Sequence, residues 1–121
     1  MANKSIRLSD GTDTLYPEAA VYGSNANGYY TKFADGTLVQ WGVSGQYASG
    51  NTANVAVTMP LAFVNSGYAV VSNGEVGDDP TNYEVLIVIQ RNTSQQFTAH
   101  IRNASGNYTR QFGWIAIGRW K

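Results

Sequence analysis

The residues best suited to bind a ligand surround one predicted strand, Gln96–Arg102. Because alternate side chains of a strand share a face, His100 and Arg102 are expected to point the same way. Arg91 ends the preceding predicted strand and Arg110 opens the following one. Guanidinium groups donate hydrogen bonds in a planar fork, so these four side chains could form a basic patch that binds acidic or neutral sugars. The alternative is a solvated sheet face whose cations pair with carboxylates.

Tyrosines in or beside predicted loops form a second group of candidate ligand-binding residues, and Tyr47 and Tyr108 belong to it. Aromatic rings offer a large flat surface at a low cost in conformational entropy, which suits stacking on the C–H face of a sugar. The alternative is that each ring packs against a sheet edge or a neighbouring protomer. The loops 44–51 and 73–82 are the expected recognition tips, since loops on a rigid scaffold carry binding residues.

Catalytic chemistry finds little support in the sequence. There is no cysteine and only one histidine, so neither a thiolate site nor a multi-histidine metal site can form. A glycosidase needs two carboxylates facing each other across a cleft, and a serine hydrolase of the common type needs a Gly-x-Ser-x-Gly turn and a base. Neither pattern is present. We therefore expect no catalytic residue, no metal, no cofactor and a protein that is not an enzyme.

The charge balance excludes further classes of partner. The 121 residues contain 8 Lys+Arg and 8 Asp+Glu, and only 13% of them are charged, against about 25% in a typical soluble domain. A net charge of zero argues against nucleic acid, which demands an excess of cations. No apolar run approaches the length of about 18 residues that a membrane span requires, so we expect no membrane insertion. Because no hydrophobic segment follows Met1–Ser9, we also expect no signal peptide and synthesis in the cytoplasm.

The composition favours strands and turns. Asn, Ser, Thr and Gly make up more than a third of the chain, and there are 8 Tyr, 4 Phe and 3 Trp. From residue 28 onward the apolar period is two, and Asp35-Gly36 between two such runs is a strong hairpin signal. About seven strands separated by turn clusters indicate an all-β, antiparallel sandwich. The predicted strands are Tyr29–Phe33, Thr37–Val43, Asn54–Thr58, Tyr68–Ser72, Tyr83–Gln90, Gln96–Arg102 and Gln111–Trp120.

Two of these strands are apolar on both faces. Val85–Ile89 is apolar throughout, and the segment 111–120 carries Trp114 on one side and both Ile115 and Ile117 on the other. A sandwich covers one face of each strand, and this chain has no predicted helix to cover the second. We therefore expect a homo-oligomer. The alternative is a tightly rolled barrel covered by the N-terminal arm.

The first 27 residues are interpreted as an extended arm. Asp10-Gly11 lies between two short apolar runs and predicts a hairpin. Tyr22–Gly28 is rich in Gly and Asn and is interpreted as a linker. The predicted division is thus an arm over residues 1–27 and a β-sandwich tip domain over residues 28–121.

Several segments resemble the C-terminal tip domains of bacteriophage tail fibres. Gly28–Gly42 (GYYTKFADGTLVQWG) looks like their opening hairpin, Val55–Phe63 (VAVTMPLAF) like the next strand, and Phe112–Lys121 (FGWIAIGRWK) like the closing strand. Such domains are similar to H-type lectins, whose pattern also includes a run that reads VIQRNTSQQFTAHI at Val88–Ile101 here.

This resemblance implies a homotrimer of six- or seven-stranded sandwiches at the end of a phage or prophage tail fibre, in the virion. The implied partner is a bacterial surface polysaccharide or glycoprotein, bound during host adsorption. A structural trimerisation cap without its own ligand and a free-standing H-type lectin are the alternatives. The lectins tend to carry a Trp after the strand that ends here at Arg102, whereas this chain has Asn103-Ala104-Ser105 and no aromatic residue before Tyr108. The lectin sugar site is therefore not carried over whole.

Overall fold

The computed structural model describes residues 6–7, 14–15, 20–48, 52–73, 85–103 and 109–121. Every regular element in these ranges is a β-strand. They are β1 (Ile6–Arg7), β2 (Thr14–Leu15), β3 (Val21–Asn25), β4 (Gly28–Lys32), β5 (Thr37–Val43), β6 (Tyr47–Ala48), β7 (Thr52–Thr58), β8 (Ala69–Ser72), β9 (Val85–Arg91), β10 (Gln96–Asn103), β11 (Thr109–Arg110) and β12 (Gly113–Arg119).

Eight of these strands form two antiparallel sheets. The five-stranded sheet has the order β3-β4-β5-β12-β8, and the three-stranded sheet has the order β7-β10-β9. Two short pairs, β1 with β2 and β6 with β11, lie outside both sheets. The predicted all-β antiparallel architecture is confirmed, and all seven predicted strands have a counterpart. The number of strands is eight rather than six to seven because β3 joins the edge of the larger sheet.

Strand β3 corrects the interpretation of Tyr22–Gly28 as a linker. Val21 pairs with Lys32 and Asn25 with Gly28, so this segment forms a hairpin with β4. The Asn25 side chain accepts a hydrogen bond from the Asn27 amide (2.9 Å) and donates one to the carbonyl oxygen of Pro60 (3.0 Å). Its Gly- and Asn-rich composition has low strand propensity, but an edge strand is held by its pairing partner. The division of the chain into an arm and a tip domain stays a prediction.

The hairpin predicted around Asp35-Gly36 is confirmed. The Phe33 amide donates to the Thr37 carbonyl oxygen at 2.8 Å, and Gly36 adopts a left-handed φ of 100° that favours glycine. The Asp35 carboxylate accepts a hydrogen bond from the Thr37 amide at 2.8 Å. This bond, the Thr37 side chain and the nearby cations Arg119 and Lys121 hold the pKa of Asp35 below its usual value of 3.8.

Aromatic contacts fill the space between the sheets. Phe97 of the three-stranded sheet meets Trp114 of the five-stranded sheet edge to face, with ring centroids 5.7 Å apart. Phe63 stacks on Tyr68 at 4.8 Å. Among the described residues, the Trp114 indole nitrogen is the one buried side-chain polar atom without a hydrogen-bond partner. The remaining buried apolar residues are Leu38, Tyr47, Val57, Met59, Ala99, Ile101, Phe112 and Ala116.

A buried amide joins the five-stranded sheet to the segment between β7 and β8. Gln40 is completely buried, its amide nitrogen donates to the Leu61 carbonyl oxygen at 2.9 Å, and its amide oxygen accepts from the Leu61 amide at 2.6 Å. The two bonds satisfy both backbone groups of Leu61 inside the protein, where an unsatisfied group would cost about 1–3 kcal/mol. Gln40 thus acts as a clamp that fixes this segment to β5.

Candidate functional site

The outward surface of the three-stranded sheet, called here the three-stranded face, presents two of the six predicted ligand-binding residues, His100 and Arg102. Antiparallel register places side chains of the three strands in rows. One row consists of Thr52, Arg102 and Leu86, and the next consists of Asn54, His100 and Val88. The opposite sides of the same strands face the core, where Phe97, Ala99 and Ile101 are buried. The central strand β10 therefore carries a cation and an imidazole between hydroxyl and amide groups on β7 and aliphatic groups on β9.

His100 is fixed between amides of both neighbouring strands. Its Nδ1 lies 2.8 Å from the Asn54 amide oxygen, and its Nε2 lies 2.8 Å from the Gln90 amide oxygen. A neutral imidazole donates from one ring nitrogen and accepts at the other, so one of the two amides must turn its NH₂ toward the ring in that state. A further bond, from the Asn92 amide nitrogen to the Thr98 hydroxyl at 2.6 Å, runs along the same outward surface. The ring therefore has a defined orientation before any ligand arrives.

A shallow depression of about 360 Å³ lies in this face. The Arg102 side chain is exposed at its edge, and no hydrogen bond or ion pair joins its guanidinium group to another described residue. Leu86 and Val88 supply exposed aliphatic surface on the β9 side. The depression is lined by Thr52, Asn54, Leu86, Val88, His100, Ile101 and Arg102. It combines an exposed cation, neutral hydrogen-bonding groups and an apolar wall.

Of the four basic residues proposed as a patch, the structure brings His100 and Arg102 together and separates Arg91. Arg91 pairs with Phe97 in the sheet register, and Phe97 is on the core side. Its guanidinium group donates to the Tyr68 carbonyl oxygen at 2.9 Å. The Tyr68 hydroxyl lies 2.9 Å from the carbonyl oxygens of both Thr93 and Gln96, and burial raises the pKa of Tyr68 above its usual 10.0. Arg91 thus supports a buried corner of the fold.

The other three candidates have different outcomes. Tyr47 is buried and packs against Phe112 with ring centroids 6.3 Å apart, so its ring belongs to the core and does not lie in an open loop. The reason is that Tyr47–Ala48 forms β6, which pairs with β11. Arg110 pairs with Tyr47 through its backbone, and its side chain lies outside the described part of the structure. Tyr108 lies outside the described residues, as do residues 49–51 and 74–82 of the two predicted tips.

Sequence reasoning missed the neighbours of His100 and Arg102. Thr52, Asn54, Leu86 and Gln90 lie on two other strands, and only the register brings them beside β10. The one sequence feature that could have indicated these neighbours is the alternation of polar and apolar residues in β7. No group of His, Asp and Glu in the described ranges is positioned to hold a metal ion, and the same ranges contain no helix long and apolar enough to cross a membrane.

The outward surface of the five-stranded sheet, called here the five-stranded face, differs sharply in chemistry. Register places Tyr29, Trp41, Ile115 and Val71 in one row across four strands. The next row contains Thr31, Val39, Ile117 and Ala69. Val71 is 66% exposed and Ile117 is 50% exposed. The face thus presents an apolar surface to the outside.

Charged groups stand at one end of this face. Arg119 follows Ile117 on β12, and its guanidinium group donates to the Asp35 carbonyl oxygen at 2.6 Å. The Trp120 indole nitrogen donates to the Phe33 carbonyl oxygen at 2.7 Å, and the Lys32 ammonium group lies 4.2 Å from the Trp120 ring centroid. These contacts join the last strand to the β4–β5 turn.

Residues 32–119 match a family model described as "tail fiber protein gp53-like, C-terminal". The match begins at the last residue of β4 and continues through β5 to β12, so it includes the whole three-stranded sheet and three strands of the five-stranded sheet. The chain belongs to this family of tail-fibre C-terminal domains. No curated protein sequence matches the chain.

Solved structures of pyocin tail fibers share the fold. An R1 pyocin fiber of P. aeruginosa matches with a TM-score of 0.61 at 17% identity, over 85% of this chain and 29% of that fiber. An R2 pyocin fiber of P. aeruginosa matches with a TM-score of 0.60 at 23% identity, over 86% of this chain and 27% of that one. An N-truncated R1-type pyocin tail fiber matches with a TM-score of 0.61 at 18% identity, over 85% of this chain and 88% of that one. The tail-fibre domain therefore spans under a third of the longer fibers that it resembles.

Proposed function

We propose that this tail-fibre domain is the tip of a homotrimeric phage or prophage fibre in the virion and binds host cell-surface glycan during adsorption. The observation that carries the proposal is the arrangement on the three-stranded face, where an exposed Arg102 lies between Thr52 and Leu86. Family membership supports the tail-fibre assignment and a role without catalysis. The glycan and the trimer are our own inferences.

The chemistry of the depression suits a saccharide. A sugar ring has hydroxyl groups around its edge and C–H groups on its faces, so a matching surface needs both hydrogen-bonding and apolar groups. Thr52 and Asn54 can bond hydroxyl groups, while Leu86 and Val88 can contact a C–H face. Arg102 can bind a carboxylate, a phosphate or a pair of hydroxyl groups through its planar fork. Because His100 is already oriented by two amides, little ordering remains to be done on binding.

Binding to an array of host lipopolysaccharide and wall polysaccharide tests the proposal, with the mass of the protein measured in the same buffer. We expect a trimer that binds at least one host glycan, and Arg102→Gln should weaken that binding at least about tenfold. Lys121→Gln removes an equal charge at the far end of the larger sheet and should bind like the wild type. Equal affinity of the Arg102→Gln and wild-type proteins would remove Arg102 from the site, and a monomeric wild-type protein would contradict the trimer.

A structural cap that registers the three chains of a fibre, without a ligand of its own, is the second candidate. The apolar five-stranded face favours it, because such a surface serves assembly whether or not a glycan binds. A trimer that binds no host glycan would support this candidate over the first.

A further inference from the structure

The five-stranded face is broad and nearly free of charge. In its described part, the one charged side chain on the outward side of strands β3, β4, β5, β12 and β8 is Arg119, which bonds to the turn at Asp35. The other outward side chains are aliphatic, aromatic or hydroxyl-bearing. The most exposed apolar ones are Tyr22, Tyr29, Trp41, Val43, Val71, Ile115 and Ile117.

The extent of this surface distinguishes it from ordinary exposed hydrophobic residues. Given exposed fractions of 40% for Trp41 to 76% for Tyr22, these seven side chains present on the order of 700 Å², which is close to the ~800 Å² that each partner contributes to a standard interface. The largest apolar patch on a typical monomer covers about 300–600 Å². An area of this size is what a stable protein–protein contact needs.

We infer that the five-stranded face packs against another copy of this chain, an inference that rests on the proposed trimer and assigns its interface. Its chemistry favours this occupant. An anionic membrane surface or an acidic partner would require cations on the face, and the described face offers few groups that could bond the hydroxyl groups of a glycan. Because the net charge of the chain is zero, copies can approach one another without long-range repulsion.

The shape of the face also fits a protein surface. Tyr29, Trp41, Ile115 and Val71 form a continuous row over four paired strands, and Tyr29 stacks on Trp41 with ring centroids 6.0 Å apart. Rows of this kind make a gently twisted sheet surface that packs well against a second sheet about 10 Å away. By contrast, the large exposed apolar residues in the described part of the three-stranded face are Leu86 and Val88, both on one edge strand. The three-stranded face therefore stays open to solvent in the assembly.

Thiol accessibility of single-cysteine variants tests the assignment, since the natural sequence has no cysteine. Ile117→Cys and Val88→Cys place one thiol on each face at positions of similar exposure, 50% and 54%. Reaction with a maleimide is followed at a protein concentration where the assembly persists and after dilution that dissociates it. We expect the Ile117→Cys thiol to react at least tenfold more slowly in the assembly and the Val88→Cys thiol to react equally fast in both.

The possible outcomes distinguish a wrongly assigned interface from the absence of a trimer. If the protein is a trimer by mass and the Ile117→Cys thiol reacts as fast as the Val88→Cys thiol, the interface lies elsewhere and the trimer stands. If only the Val88→Cys thiol is protected, the interface is on the opposite face and the inference is wrong. If the wild-type protein is a monomer at every concentration, both the trimer and the interface fail.

Discussion

The two outward faces of this sandwich are built from the same kind of strand and yet differ in almost every chemical respect. On the three-stranded face, amide, imidazole, hydroxyl and guanidinium groups surround a shallow depression. On the five-stranded face, Trp41, Ile115 and Val71 stand in a row without a charge beside them. Because large exposed apolar areas mark interaction surfaces, the difference agrees with the two roles that we propose, recognition on the three-stranded face and assembly on the five-stranded face.

The largest effect is expected when the same positive charge is placed on each face in turn. Ile115→Lys should raise the dissociation constant of the trimer at least about a hundredfold, because burying an ammonium group without a partner costs several kcal/mol. Thr98→Lys, on the three-stranded face, should leave the trimer unchanged. Sedimentation equilibrium over a concentration series measures both, and equal effects of the two substitutions would contradict the division of roles.

A smaller effect is expected when the oriented ring is removed from the three-stranded face. His100→Ala should reduce glycan affinity about five- to tenfold, because Asn54 and Gln90 lose the partner that fixes them. The cost in folding stability should be about 1 kcal/mol, since the bonds are exposed. Calorimetric titration and urea unfolding measure the two quantities, and His100→Gln, which can still donate and accept, should recover part of the affinity.

A matched pair of isosteric substitutions, one on each face, tests which face is buried in the trimer. Val71→Thr and Val88→Thr each replace one methyl group by a hydroxyl group of nearly the same size. In a dry interface that hydroxyl costs about 1 kcal/mol or more, so Val71→Thr should weaken the trimer about fivefold. Val88→Thr should have no effect on assembly. A weaker trimer with Val88→Thr alone would reverse the assignment of the two faces.

The smallest expected effect concerns the charged end of the five-stranded face. The pKa of Asp35 is lowered in the folded protein, above all by the hydrogen bond from the Thr37 amide. The stability it contributes is therefore present above its usual pKa of 3.8 and is lost as the pH falls through the lower folded value. Thermal unfolding between pH 6 and pH 2.5 should show this loss in the wild type and a smaller one in Asp35→Asn. Assembly should not follow the same titration, because Asp35 stands at the end of the face and not on it.

The architecture was largely predictable because strand signals here are local. The Asp35-Gly36 turn and the period of two in β10 contain all the information needed for those elements. Strand β3 was missed because Gly23 and Asn25 have low strand propensity, and the pairing of Val21 with Lys32 is what holds them. Gln40 shows the same limit from the other side, since it is buried while its neighbour Trp41 is 40% exposed. A polar–apolar alternation alone would place Gln40 on the outward face and Trp41 in the core.

The candidate site was predictable only within a single strand. That His100 and Arg102 share a face follows from spacing, and the structure bears this out. Which residues flank them depends on the register of β7 and β9, and that register is set by long-range packing. Arg91 illustrates the point: it ends the strand next to β10, yet its register with Phe97 directs it to the Tyr68 carbonyl group on the other side.

The position of β12 has a consequence for how the domain is made. It follows every other strand in the chain and yet lies between β5 and β8, near the middle of the five-stranded sheet. During synthesis from the N-terminus, β5 and β8 therefore keep an unpaired edge until residues 113–119 emerge from the ribosome. Pairing over such sequence distances is slow, and exposed apolar edges invite aggregation. We therefore expect the five-stranded sheet of this domain to be completed only after residues 113–119 have been synthesised.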